Sequence, residues 1–219
     1  MKYLKNILVC IILIIFVSSC FQTPPTEEPL TEKQLMSMYM RDVGYLVDST
    51  FTDSTELSSI VDFKFLDVNK KLNDCGLEKS TDLYSKIINS DSCTQFPIFE
   101  VKNSNISVLI IGDKNQWASI WIIYLIDRQF EIIRKVNIYY KAEIPGFGVK
   151  VSKTEFEKQF INLPIQINEN SFGLRQNREI IIQGANIIDG ISGATLSSKT
   201  VVEISNRLEL FEEYLLLTQ

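Results

Sequence analysis

The sequence predicts an α+β domain whose mainly antiparallel sheet is flanked by helices, and three observations predict it. Short apolar runs recur at Ile60-Asp67, Ser107-Gly112, Ser119-Ile126, Ile132-Tyr140 and Ile180-Gln183, close enough for neighbours to pair directly. Helix signals stand near both ends, at Thr31-Gln34 and after Leu196. About 170 residues follow the first helix without a visible repeat, enough for one domain with its own core.

The N-terminus comes first. Lys2 and Lys5 precede an apolar run from Ile7 to Val17, and Ser18-Ser19-Cys20 follow. A basic start, a short hydrophobic core and small residues before a break describe an export signal. With cysteine directly after two small residues, the segment resembles a bacterial lipoprotein signal, cleaved before Cys20 with that thiol lipidated. The alternative is a retained membrane helix, but a span needs about twenty apolar residues and this run stops at Ser18. On either reading the folded part lies outside the cytoplasm, on the periplasmic or outer face of a bacterial cell membrane. Residues 1–19 are thus expected as the signal, 20–30 as a proline-rich extended tether, and 31–219 as the domain.

Thr31 to Gln34 reads as a capping box opening a helix that runs to about Val47. Met36, Met38 and Met40 alternate and do not form one helical face, so they read as packing and filler without a metal role. The strand candidates follow, and Trp117, just before the third, reads as a core tryptophan or as the wall of a site. Glu143-Ile144-Pro145-Gly146-Phe147-Gly148 then reads as a Pro-Gly turn, proline fixing φ at the first central position and glycine accepting positive φ at the second.

Composition removes several chemistries. The chain has no histidine, which excludes Ser-His-Asp and Cys-His catalysis and the commonest transition-metal ligand. Four cysteines are too few and too scattered for a zinc or iron–sulfur set, with Cys10 in the signal and Cys20 at its end. Cys75 and Cys93 remain, either as a disulfide contributing about 3 kcal/mol in an oxidising compartment or as buried thiols. A formal charge of −5 and the lack of a basic cluster argue against nucleic acid as a partner. Glu212-Glu213 reads as the exposed side of the last helix.

The most informative segment is Asp189-Gly190-Ile191-Ser192-Gly193-Ala194-Thr195-Leu196-Ser197-Ser198. It sets one threonine hydroxyl behind three small residues at the start of a helix whose Val201, Ile204, Leu208, Phe211 and Leu215 recur at spacings of three and four. Ser197 or Ser198 is expected to cap the first turn. Small residues let an anion approach the backbone, and a helix N-terminus favours its charge. On these grounds the segment is either an ordinary loop entering a capped helix or a place where Thr195 meets a phosphate.

Residues Asp189 to Ser197 resemble the flavinylation motif, Asp-x-x-Ser-Gly-Ala-Thr-x-Ser/Thr, of the FMN-binding domain family. That family includes the C subunit of the sodium-translocating NADH:quinone reductase and the G subunit of the related Rnf complex. Glu143 to Gly148 resembles the family's Glu-Thr-Pro-Gly-Leu-Gly, with Ile144 and Phe147 in place of threonine and leucine. Asn115-Gln116-Trp117 stands where the quinone reductase's C subunit has Gly-Leu-Trp, so the likeness is closer to that branch and covers about residues 95 to 210. The glycine-rich stretch that usually precedes the motif is replaced by Arg178 to Gly184.

The resemblance implies FMN held covalently, by a phosphoester, on Thr195. It implies that Ser192, Gly193, Ala194, Leu196 and Ser197 shape the attachment loop. Asp189 and Gly190 would be read by a flavin transferase that uses FAD and magnesium, and Glu143, Pro145, Gly146, Phe147 and Gly148 would surround the ring. The implied function is an electron carrier among other membrane redox subunits of an NADH:quinone reductase-type oxidoreductase, not an enzyme alone. The short signal and Cys20 favour a second reading, a stand-alone flavinylated lipoprotein passing electrons to an extracytoplasmic acceptor. A third is a surface-binding lipoprotein that has lost the cofactor.

Overall fold

The computed structural model describes residues 31–52, 56–89, 94–142, 146–166 and 170–216. The chain divides into two compact units, Met1–Leu35 and Met36–Gln219. The expected signal, Cys20 and tether lie outside the described residues. In the first unit Thr31 and Gln34 form the reciprocal cap: the Gln34 N–H donates to Thr31 Oγ1 at 3.3 Å, and the Thr31 N–H donates to Gln34 Oε1 at 2.9 Å. It opens helix α1, Glu32–Val47.

The second unit is built on a six-stranded sheet of order β2-β1-β3-β4-β5-β6, antiparallel at every pairing. Its strands are β1 Val61–Leu66, β2 Leu72–Asp74, β3 Phe96–Val101, β4 Ile106–Lys114, β5 Ala118–Asp127 and β6 Ile132–Ala142. The α+β class and the antiparallel sheet are those the sequence predicts. β5 is apolar on both faces, as a strand covered from both sides must be. Ile120, Ile122, Tyr124 and Ile126 join the core beneath the C-terminal helices, while Trp121 on the other face meets Tyr39 of α1.

That other face is also covered by α3, Leu77–Ile88, after a single turn, α2, at Leu57–Ile60. The sequence signals place helices only near the ends, so α3 is a correction. Its Leu83, Tyr84, Ile87 and Ile88 repeat at helical spacing and are buried. On α1, Met36 and Met40 are buried with Tyr39, Val43 and Leu46. Two of the three methionines therefore do share a face, four residues apart, in the core.

β3 is not among the predicted strands, and it carries Pro97, a residue that interior strands avoid. The register resolves this: Pro97 pairs with Phe65 of β1, and pairing with β4 begins one residue later, at Ile98. The missing N–H thus falls past the end of the β4 ladder.

After β6 come a 3₁₀ turn at Phe147–Ser152, helix α4 at Thr154–Glu157 and a 3₁₀ turn at Lys158–Phe160. A three-stranded sheet of order β8-β7-β9 follows, from β7 Phe172–Gln176, β8 Glu179–Ile182 and β9 Asn186–Asp189. The β7–β8 hairpin turns on Asn177 and Arg178, both at positive φ. β7 and β9 run parallel, which the antiparallel expectation did not include.

The chain ends in helix α5, Thr195–Asn206, a 3₁₀ turn at Arg207–Phe211 and helix α6, Glu212–Leu216. Val201, Ile204, Leu208, Phe211 and Leu215, the predicted stripe, are all buried against the sheet. Asn206 fastens α5 to β7 by accepting from the Phe172 N–H at 2.9 Å and donating to the Phe172 carbonyl at 2.8 Å.

Candidate functional site

The segment from β9 into α5 is a short loop held firmly at both ends. At the first end the Asp189 N–H donates to Gln159 Oε1 at 2.8 Å, and its carbonyl accepts from Gln159 Nε2 at 3.1 Å. The Asp189 carboxylate takes two hydrogen bonds from the Arg175 guanidinium, at 2.6 and 2.9 Å. The fork geometry matches a carboxylate, and it holds the Asp189 carboxyl below its usual range. At the other end the buried Ser198 hydroxyl accepts from the Ile191 N–H at 3.1 Å and donates to the Ala194 carbonyl at 3.0 Å.

Between these anchors Gly193 adopts φ 80°, a left-handed conformation that suits glycine, and turns the chain into α5. Thr195 is the first helical residue and is exposed, as are Ser192 and Gly193. The expected serine cap is not what forms. Residue Ala194 occupies the N-cap and has no side chain to offer, while Ser198 is spent on the loop and Ser197 is buried. The first intrahelical bond runs from the Ser198 N–H to the Ala194 carbonyl at 2.9 Å. The N–H groups of Thr195, Leu196 and Ser197 are thus left for an acceptor outside the helix.

Alanine is among the poorest N-caps, and anionic oxygens are the natural substitute at a helix start. A phosphate esterified to Thr195 fits this arrangement: three free donors, a glycine turn and an exposed hydroxyl.

The second motif meets the first at Gly148. A Cβ on Gly148 would fall 2.6 Å from Ser197 Oγ and would overlap the Tyr140 hydroxyl, so only glycine lets these segments touch. The turn itself differs from the expectation. Gly146 is extended, with φ −155° and ψ −176°, and leads into the 3₁₀ turn, where its carbonyl accepts from the Val149 N–H. Glu143, Ile144 and Pro145 lie outside the described residues, as does the Phe147 side chain.

A third segment is the β4–β5 turn. Asn115 Oδ1 accepts from the N–H groups of Trp117 and Ala118, both at 2.9 Å, and Asn115 Nδ2 donates to Thr200 Oγ1 at 3.1 Å. This residue, which departs from the family's glycine, therefore ties the turn to α5. Trp117 is 67% exposed, not a core residue; the buried tryptophan is Trp121. Trp117, Val149 and Leu196 give each of the three converging segments an exposed apolar side chain.

Arg175, Gln159, Tyr140 and the double bond of Ser198 were not nominated from the sequence. Each acts on a residue distant along the chain except Ser198, whose position next to Ser197 was the only local signal. Away from this site, the Cys75 thiol lies 3.3 Å from the Ser80 hydroxyl, and its predicted partner Cys93 is outside the described residues.

Residues 116–208, which run from the β4–β5 turn through α5, match the model of the FMN-binding domain family. The likeness to that family lies in this segment. The chain is 28% identical over 106 residues to the G subunit of the ion-translocating oxidoreductase complex of Methanosarcina acetivorans. That match covers 47% of this chain, and the chain spans about half the length (50%) of the curated relative. Among solved structures, the C subunit of the Na(+)-translocating NADH-quinone reductase from Parabacteroides distasonis superposes with a TM-score of 0.65 at 17% identity, over 85% of this chain and 98% of that one. NqrC of Shewanella oneidensis gives 0.63 at 14% identity, over 84% and 98%. At these identities the likeness shows a shared fold.

Proposed function

We propose that the chain is an extracytoplasmic, membrane-anchored electron carrier with FMN joined to Thr195 through a phosphoester. The observation that carries this reading is the exposed Thr195 hydroxyl at the start of a helix with no side-chain cap. In the attachment step the Thr195 oxygen bonds to the phosphorus of FAD on the FMN side. The phosphoanhydride bond to AMP breaks, and the hydroxyl proton leaves. A magnesium-dependent flavin transferase is the catalyst.

FMN, once bound, supplies one- and two-electron redox chemistry. The protein's residues hold and shape. Ser192, Gly193, Ala194, Leu196 and Ser197 form the phosphate loop, and the helix N-terminus offers its N–H groups. Gly146, Phe147 and Gly148, with Glu143 and Pro145, would surround the ring, as the family resemblance implies. Trp117 offers an exposed apolar face. Asp189 and Gly190 are the elements the transferase reads, presented by Arg175 and Gln159.

Among the described residues no helix is long and apolar enough to cross a membrane. The anchor is assigned to residues 1–30 on their signal-like sequence, through lipidation of Cys20 or a span ahead of it. The similar proteins are named as subunits of ion-translocating oxidoreductases, which supports a role like that of the quinone reductase's C subunit beside other redox subunits. A stand-alone flavinylated lipoprotein is the second reading, supported by the short signal before Cys20.

Coexpression of the exported chain with a flavin transferase tests the attachment. In-gel flavin fluorescence and a mass gain of FMN less water are expected, and T195A abolishes both. An unmodified wild-type chain beside an active transferase refutes the reading. Copurification then separates the two roles: companion redox subunits support the complex, and their absence supports the lone carrier.

A further inference from the structure

On the sheet face turned away from α5, aromatic rings form a connected group. Trp121 and Tyr139 are cross-strand partners whose rings stack 5.2 Å apart, 3° from parallel. Tyr39 sets an edge against both, at 5.4 and 5.7 Å, and lies 5.8 Å from Tyr84. Strand alternation points Tyr139 to this face and Tyr140 to the other, where the Tyr140 hydroxyl meets Gly148 beside Ser197. Tyr139 is thus the chain neighbour of a residue that packs against Gly148 on the opposite face of the sheet.

The polar tips of these rings are not equivalent. Buried Trp121 Nε1 and Tyr84 Oη sense each other but fall outside hydrogen-bond geometry, and neither reaches a base. The Tyr139 hydroxyl donates to Asp42 Oδ2 at 2.7 Å. Oxidised phenols and indoles are strong acids, so a hole settles where a proton can leave. Burial raises the Asp42 carboxyl above its usual range, which makes its carboxylate a better base. Stacking gives the Trp121–Tyr139 pair the contact that electron exchange needs.

We propose that Trp121, Tyr139 and Asp42 form a one-electron oxidation site on the sheet face turned away from α5. The oxidant class is an oxygen-derived radical, which takes one electron from the pair and is reduced by it. The Tyr139 O–H bond breaks, its proton forms an O–H bond on Asp42 Oδ2, and a neutral Tyr139 phenoxyl radical remains. A small thiolate returns one electron and leaves as its thiyl radical, and Asp42 returns the proton to the Tyr139 oxygen. Supply of that oxidant by reduced flavin meeting dioxygen rests on the function proposed above. The site itself does not.

The test uses the full, flavin-free chain with Trp117→Phe, which leaves Trp121 as the sole indole of the two in the sequence. An ultraviolet flash photoionises Trp121, and persulfate in solution captures the ejected electron. The indolyl absorption is expected to decay as a phenoxyl absorption rises. Tyr139→Phe and, separately, Asp42→Asn should each lengthen the indolyl lifetime by about tenfold or more, the effect of a barrier raised by about 1.4 kcal/mol. The Asp42→Asn chain should also lose the solvent deuterium effect on that decay. Equal lifetimes in all three chains overturn the proposal, as does slowing by Tyr39→Phe but not by Tyr139→Phe. Near-ultraviolet circular dichroism confirms that each variant keeps the aromatic packing. Because no flavin is present, the result is independent of Thr195 modification.

Discussion

The Ser198 hydroxyl accepts the Ile191 N–H at 3.1 Å and so joins the first turn of α5 to the loop that precedes it. The same oxygen donates to the Ala194 carbonyl at 3.0 Å, and Ser198 is fully buried. Replacing it with alanine removes both bonds and leaves the Ile191 amide without its acceptor. Ser198→Ala should cost about 1–3 kcal/mol in denaturant unfolding. Hydrogen exchange at the Ile191 amide should accelerate by more than the global loss predicts. Unchanged protection at Ile191 would show that the loop is held by other means.

Gly148 is the point where the two motifs touch, and its test is steric. Gly148→Ala places a methyl group 2.6 Å from Ser197 Oγ and against the Tyr140 hydroxyl. Overpacking of this kind costs about 1–3 kcal/mol. Tyr140→Phe removes one of the two obstacles, so the double variant should recover part of the loss in a double-mutant cycle. Additive costs would mean that the contact does not decide the geometry.

Acid titration reads the Arg175–Asp189 pair. The Asp189 carboxyl is lowered in the folded chain, first by the Arg175 hydrogen bond and then by its charge. A lowered folded value means stability that is present above the unfolded value of about 3.9 and lost as pH falls through the folded one. The partners are 48% and 59% exposed, so water screens the pair and the effect on stability is small. The sharper readout is the Asp189 carboxyl resonance. Its midpoint should move upward in Arg175→Met, toward the ordinary aspartate range; a midpoint that stays put rules out the ion pair in solution.

Local and repetitive features were legible, and long-range ones were not. Val201, Ile204, Leu208, Phe211 and Leu215 announce their buried face because each sits one helical turn from the next. The unbroken apolar run of β5 likewise signals a strand covered on both sides. The helix start at Thr195 was legible because the small residues before it and the apolar stripe after it are contiguous in sequence. Trp117 and Trp121 show the limit: strand parity treats them alike, but β5 starts at Ala118, which leaves Trp117 in the turn. The grip of Arg175 and Gln159 on Asp189 arises only once β7 lies beside β9 and the Lys158–Phe160 turn closes over them. No spacing in the sequence encodes that meeting. Gly146 failed for another reason, since a Pro-Gly pair permits a turn without requiring one.

The placement of α5 over the sheet depends on a buried pair whose two halves are unequal. The Ser205 hydroxyl gives its proton to the Val201 carbonyl at 2.7 Å, so in the 2.8 Å contact with Tyr124 it is the tyrosine that donates. Both residues are fully buried, and burial in that environment pushes the Tyr124 hydroxyl well above its usual range. Tyr124→Phe leaves Ser205 bonded to Val201 and should cost about 0.5–1.5 kcal/mol, the net value of one hydrogen bond. Ser205→Ala leaves the Tyr124 hydroxyl with no acceptor in the core and should cost about 1–3 kcal/mol. The double variant removes both polar groups, so it should be no less stable than Ser205→Ala alone. Denaturant unfolding of the three chains decides the matter. If Tyr124→Phe proves the costlier single change, the donor assignment is reversed.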